Sequence, residues 1–207
     1  MDPRWKHPFT AIVSGPTGCG KTNWVMRFIT HLSDMVEPTP TRIIYSYGEW
    51  QPAYHNLPDH VRLQEGMSDI PEYTSEPTLL IIDDQMDEVN KNVMRIFTKG
   101  SHHRNISVIY IVQNLFGQNK EHRTISLNAQ YLVAFNNPRD KSQIVHLAKQ
   151  MCPGELNYAK EAFALATREP YGYLLMDLRQ TTPDALRLRG RIFPGEENEV
   201  YVRKNSI

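Results

Sequence analysis

The octapeptide GPTGCGKT at residues 15–22 sets three glycines, a lysine and a hydroxyl side chain at the spacing G-x-x-x-x-G-K-[ST]. Gly15, Gly18 and Gly20 let the backbone curl until successive N–H groups face one anion. Lys21 carries an ammonium on a long stem, suited to β- and γ-phosphates. The Thr22 hydroxyl is suited to Mg²⁺. Pro16, Thr17 and Cys19 occupy the variable places of the motif. A cysteine at a helix start is open to a lowered thiol pKa, although filling a variable place is the plainer reading of Cys19. The chemistry such a loop supports is the binding of a nucleoside triphosphate by its phosphates.

Two further stretches carry groups that would complete such a site. TLLIIDD (78–84) is an apolar run that delivers two acids, Asp83 and Asp84, to its end. Asp83 is expected to hold Mg²⁺ through water, and Asp84 to orient or deprotonate the attacking water. Glutamate is the usual residue at the second place. Aspartate is one methylene shorter, so Asp84 must sit closer or act through a further water. Glu88 is a second candidate, and capping of the next helix is the structural alternative for Asp84. ISVIYIVQNLF (106–116) runs through seven apolar or small residues into Gln113 and Asn114. A carboxamide both donates and accepts, so Gln113 could bond a γ-phosphate and a lytic water at once. The alternative is a polar cap on a core strand.

These groups converge only if particular elements place them together. Strands are predicted at 9–15, 42–47, 78–84, 106–114 and 130–137, with helices at 22–32, 88–103, 140–151 and 154–167. HRTISLNA (122–129) reads as a short helix. Residues 171–178 and 186–193 alternate like a terminal edge pair, and 48–77 is loop-rich. Strand–helix alternation predicts an α/β fold with a central, mostly parallel sheet flanked by helices and a C-terminal β extension. The 207 residues suffice for one such domain, 1–207, with a core at about 8–168 and C-terminal strands at about 170–207. In many P-loop NTPases, those of the additional-strand type, a strand such as 106–114 is inserted between the Walker A and Walker B strands. Its tip then lies beside the γ-phosphate.

Composition excludes several classes. Lys plus Arg and Asp plus Glu both number 23, so any nucleic-acid contact is local and not a global basic field. The longest apolar runs are too short for a membrane span, and MDPRWKHPF has no secretory core. Two cysteines without close spacing support neither a disulfide framework nor a zinc site. The expectation is an intracellular protein with no membrane partner.

GPTGCGKT, LLIIDDQM (79–86) and SHHRNISVIYIVQNLF (101–116) together resemble the FtsK–HerA class of DNA-pumping ATPases. The finer likeness is to poxvirus-type viral genome-packaging ATPases and their virophage and Maverick/Polinton relatives. YSYGEWQPAY (45–54) and AFNNPRDKSQI (134–144) add to it, and so, less specifically, does the stretch from Tyr171 to Pro194. The resemblance implies ATP and Mg²⁺ as cofactors and a homo-oligomeric ring, pentamer or hexamer. It implies double-stranded DNA and viral capsid proteins as partners, and virion assembly sites in the host cell as the location. It also implies an arginine supplied to the neighbour's ATP, with Arg104 the first candidate and Arg139 the rival. The segment FGQNKEHR (116–123), with Lys120, His122 and Arg123, is the expected DNA-contacting pore loop. Trp50 and Tyr54 are expected to pack in the core or an interface, with base stacking as the alternative. A nucleoside or nucleotide kinase, a DNA helicase and a nucleotide-gated assembly protein remain the competing readings.

Overall fold

Seven-residue runs of β-branched and aromatic side chains cannot expose either face to water, so they stack side by side in the middle of a sheet. The computed structural model describes residues 2–66, 74–83, 90–100, 105–115, 120–140, 142–151, 154 and 156–203. Its strands are β1 (Trp5–Lys6), β2 (Thr10–Ser14), β3 (Val36–Glu37), β4 (Arg42–Tyr47), β5 (Val61–Glu65), β6 (Thr78–Asp83), β7 (Ile106–Val112), β8 (Tyr131–Phe135), β9 (Tyr173–Asp177), β10 (Leu188–Gly190) and β11 (Glu199–Tyr201). Its helices are α1 (Lys21–Thr30), α2 (Leu32–Met35), α3 (Asn90–Arg95), α4 (Lys120–Leu127), α5 (Ser142–Met151) and α6 (Leu156–Ala166). No helix among the described residues is long and apolar enough to cross a membrane.

Nine strands form one sheet in the order β11-β10-β9-β8-β2-β7-β6-β4-β5. From β5 to β8 every pairing is parallel, and β9, β10 and β11 add on antiparallel. The strand ending at Val112 therefore lies between the strand that feeds the glycine loop and the strand that ends in Asp83. Register completes the alignment. Ser14 stands opposite Val112, and Ile111 opposite Asp83. Three strand tips thus reach one sheet edge at the same height.

Strand parity divides the core into two. Val13, Tyr45, Ile81 and Ile111 face α1, whose Trp24, Val25 and Phe28 cover them. Ile12, Ile44, Leu80 and Val112 face the other way, against α3, α4, α5 and α6 through Val93, Ile125, Leu147 and Ala162. The short β1 and β3 pair in parallel at the α1 side. There Trp5 stacks on Tyr131 with ring centroids 4.0 Å apart, a contact that adds to plain area burial.

Four differences from the sequence expectation have local causes. VRLQE pairs as the edge strand β5, whose burial is too uneven for a clear two-residue period. Pro52–Asn56 is a 3-10 turn inside the stretch read as loop. The helix predicted over 88–103 is α3 followed by a π turn at Ile96–Gly100. The first predicted helix divides at His31 into α1 and α2.

Candidate nucleotide site

The glycine loop leaves β2 at Ser14 and is pinned at once, because the Gly15 N–H donates to Val112 O at 3.2 Å. A Cβ at Gly15 would lie 2.6 Å from Cys19 Sγ and 2.7 Å from Phe135 Cβ, so only glycine fits. Gly18 and Gly20 take φ of 80° and 100°, the left-handed region where a side chain is strained. α1 then begins without a side-chain cap and without an acid in its first turn. Its first amides and the positive end of its dipole are offered to an external anion. Lys21 Nζ donates to the carbonyls of Gly15 at 2.7 Å and Pro16 at 3.0 Å, which holds the ammonium on the loop. Burial pushes the Cys19 thiol up from its ordinary value, with the nearby Lys21 charge opposing. The lowered thiol open to Cys19 from sequence is therefore corrected; the residue packs against the α1-side core.

Asp83, 3% exposed, ends β6 on the α1 face, two residues after Ile81. Its Oδ2 accepts from the Tyr45 hydroxyl at 2.6 Å and the Tyr54 hydroxyl at 3.1 Å. Two donors on one oxygen orient the carboxylate. Burial first, then the Asp83 charge, drives the Tyr45 phenol far above its usual range, so Tyr45 stays a donor. Gln113 follows β7 by one residue and continues the parity of Ile109 and Ile111 onto the same face. It is half-buried, whereas Asn114 is exposed. A cavity of about 310 Å³ gathers Gly18, Lys21, Thr22, Asp83 and Gln113. The Thr22 hydroxyl and the Asp83 carboxylate are hard oxygen donors in one cavity beside the loop, a set that suits Mg²⁺.

The turn after Gln113 is braced from the first turn of α5. The Leu115 N–H donates to Gln143 Oε1 at 3.3 Å, and Gln143 Nε2 donates to Asp140 Oδ2 at 2.9 Å. Asp140 also accepts from Ser142, which holds its carboxyl below the usual value, with Gln143 adding to the effect.

Asp84, Glu88 and Arg104 lie outside the described residues, as do the side chains of Lys120 and His122. Residues 120–123 open α4 and do not extend the pore loop expected over 116–123; Arg123 is exposed on that helix. The helix forms because Ile125 is buried against the sheet. Arg139 is exposed in the loop after β8. Its neighbours Asn136 and Pro138 line a pocket with Pro16, Thr17 and Gly18. Trp50 is 48% exposed and meets Tyr47, Tyr54 and His55 edge-on. Sequence reasoning missed Tyr45 and the hydroxyl role of Tyr54. The available signal was a tyrosine at each end of YSYGEWQPAY, the stretch that begins inside β4, the neighbour of the acid-ending strand.

No protein-family model and no curated protein matches the chain. Among solved structures it is similar to the genome packaging NTPase B204 from Sulfolobus turreted icosahedral virus 2, solved in complex with sulfate. The TM-score is 0.54 at 12% identity, over 99% of this chain and 98% of that one. The likeness is one of fold, and it extends through the antiparallel C-terminal strands as well as the parallel core.

Proposed function

We propose that the chain is an ATP-hydrolysing motor that moves double-stranded viral DNA into a preformed capsid, of the poxvirus-type FtsK–HerA kind. One observation carries the reading. Lys21, Thr22, Asp83 and Gln113, from three different segments, line a single cavity, and the strand bearing Gln113 is inserted between the other two. The full-length fold likeness to a viral genome packaging NTPase supports the packaging role.

In this reading the first-turn amides of α1 and Lys21 take the β- and γ-phosphates. Thr22 and Asp83 hold Mg²⁺, which when bound neutralises charge between the phosphates. Gln113 bonds the γ-phosphate and aligns the water, and Asp84 accepts the water's proton. Arg104 of a neighbouring copy stabilises the transferring phosphoryl group in a ring of five or six, with Arg139 as the rival. Lys120, His122 and Arg123 contact DNA phosphates from the start of α4. Capsid proteins at assembly sites in the host cell are the further partners.

The test is phosphate release from Mg²⁺–ATP without any acceptor nucleoside, with and without double-stranded DNA, over a range of protein concentration. A motor releases phosphate, is stimulated by DNA and rises cooperatively with concentration. Transfer only to an added nucleoside would replace the motor by a kinase, and strand separation would replace it by a helicase.

A further inference from the structure

The turn Glu169-Pro170-Tyr171-Gly172 stands over the phosphate loop in an unusual form. The Gly172 N–H donates to Glu169 O at 3.0 Å, closing a four-residue turn. Proline at its second position and a φ of 63° at its third are the type II pattern. Glycine or asparagine suits that third position; here it is tyrosine. Gly172 locks the turn from behind, because a Cβ there would lie 2.5 Å from Ala166 O.

The strained residue is not compensated by burial. Tyr171 is 70% exposed. Part of its ring rests on the phosphate loop, since a Cβ at Gly20 would meet Tyr171 Cδ1 at 3.1 Å. An exposed aromatic in a costly backbone state, held by its neighbours, is the kind of strain that function retains. Arg191, at φ 50°, is a second non-glycine residue in this region, and it lines the same cleft.

That cleft, about 420 Å³, lies on the β8–β9 side and is also lined by Trp24, Phe135 and Tyr173. Gly20, Asn23 and Tyr171 border both it and the cavity that holds Lys21, Asp83 and Gln113. The two spaces therefore adjoin along the start of α1. A triphosphate whose γ end lies at Asp83 and Gln113 can continue past Gly20 and Asn23 into this cleft, or past Thr17 and Gly18 into the pocket lined by Pro16, Asn136 and Pro138; Tyr171 borders both. Tyr171, 70% exposed, borders the passage between the cleft and the cavity.

We propose that the cleft is the nucleoside pocket and that the Tyr171 ring is the platform on which the base stacks. The proposal rests on the phosphate reading above for the other half of the ligand. A ring face reads π area and not the hydrogen-bonding edge of a base, so purine triphosphates are the ligand class that gains most from it.

The test compares binding of Mg²⁺–ATP and of Mg²⁺–tripolyphosphate, which has no base, to the wild type, Tyr171→Gly and Tyr171→Phe. Tyr171→Gly relieves the backbone and removes the ring. It should melt at the same or a higher temperature while its ATP affinity falls about tenfold, within the range of base–aromatic stacking. Its tripolyphosphate affinity should stay that of the wild type, and Tyr171→Phe should keep ATP affinity. Unchanged ATP affinity in Tyr171→Gly, with tripolyphosphate still bound, would place the base elsewhere and leave the phosphate site standing. Parallel loss of both ligands would make Tyr171 a support of the loop and overturn the proposal. A wild type that binds neither ligand would remove the phosphate reading itself.

Discussion

The Tyr45 hydroxyl donates to Asp83 Oδ2 at 2.6 Å, at the buried end of β6. The partners sit on adjacent strands, with Tyr45 opposite Ile81 and Tyr47 opposite Asp83. Tyr54, from the 3-10 turn that follows β4, donates to the same oxygen. A carboxylate expected to hold a metal is thereby fixed by two phenols before any ligand arrives. Tyr54 also touches Trp50, so the same clamp connects Asp83 with an exposed aromatic at the surface.

Tyr45→Phe removes one donor from a buried charge while nearly conserving volume. Loss of a charge-assisted bond at such a site costs about 1–3 kcal/mol. The variant should melt lower, and phosphate release should need more Mg²⁺ for half-maximal rate. Tyr54→Phe, whose bond is longer, should shift both in the same direction by less. A Mg²⁺ titration of the rate, beside thermal melts, checks this; an unmoved Mg²⁺ requirement would reduce the clamp to packing.

Lys21→Ala deletes two hydrogen bonds to carbonyls of its own loop. Lys21 is only partly buried, so the melting temperature should change little. Phosphate release should fall by on the order of 10²–10³ or more, the usual effect of removing a preorganised donor from developing charge. Rates near wild type would mean that the cavity is not where phosphate chemistry occurs.

Gln113→Ala should lower kcat by roughly 10² while the KM for ATP stays within a few-fold, if its carboxamide meets the γ-phosphate as proposed. Gln113→Glu keeps an acceptor but loses the amide donor and adds a negative charge beside phosphate. It should be no better than alanine. Steady-state kinetics separate the two constants, and a variant whose KM alone rises would assign Gln113 to ground-state binding.

The contrast between these residues explains what the sequence could disclose. Lys21, Asp83 and Gln113 each end an element that is written locally: a glycine loop, an acid after an apolar run, a carboxamide after another. Their shared parity on the α1 face follows from counting by twos along β6 and β7. Tyr45 is written as a core aromatic of β4, and nothing local tells that its hydroxyl crosses to the next strand. β5 was missed because an edge strand half open to water needs no strict alternation. Tyr171 was missed for a different reason: EPYG invites a turn, but a positive φ on tyrosine runs against the residue's preference. Cys19 shows the converse. Its position beside a helix start left a lowered thiol open, and desolvation outweighs the opposing Lys21 charge.

A pH dependence of stability should come from His7, which joins the end of β1 to the start of β7. Its Nδ1 lies 2.6 Å from Ser107 Oγ, and its Nε2 lies 2.9 Å from Asn105 Oδ1. Asn105 Nδ2 donates to Ser75 O, so its Oδ1 faces Nε2 as an acceptor. In the neutral ring Nδ1 accepts from the Ser107 hydroxyl, whose oxygen accepts in turn from the Phe9 N–H at 3.1 Å. Nε2 then carries the ring proton and donates to the Asn105 carbonyl. This is a neutral imidazole, and burial pushes its pKa below the ordinary 6.5, with Asn105 opposing in part. The unfolded chain therefore takes its proton at a higher pH than the folded one. The contribution of His7 is fully present above pH 6.5, is lost as pH falls from there through the folded value, and levels off below it. Urea midpoints taken from about pH 8 to about pH 5 should fall across that window in the wild type, which spans the range where histidines titrate. His7→Gln, which still offers a donor and an acceptor, should lose less stability over the same interval. Parallel curves for the two proteins would assign the acid sensitivity to another group.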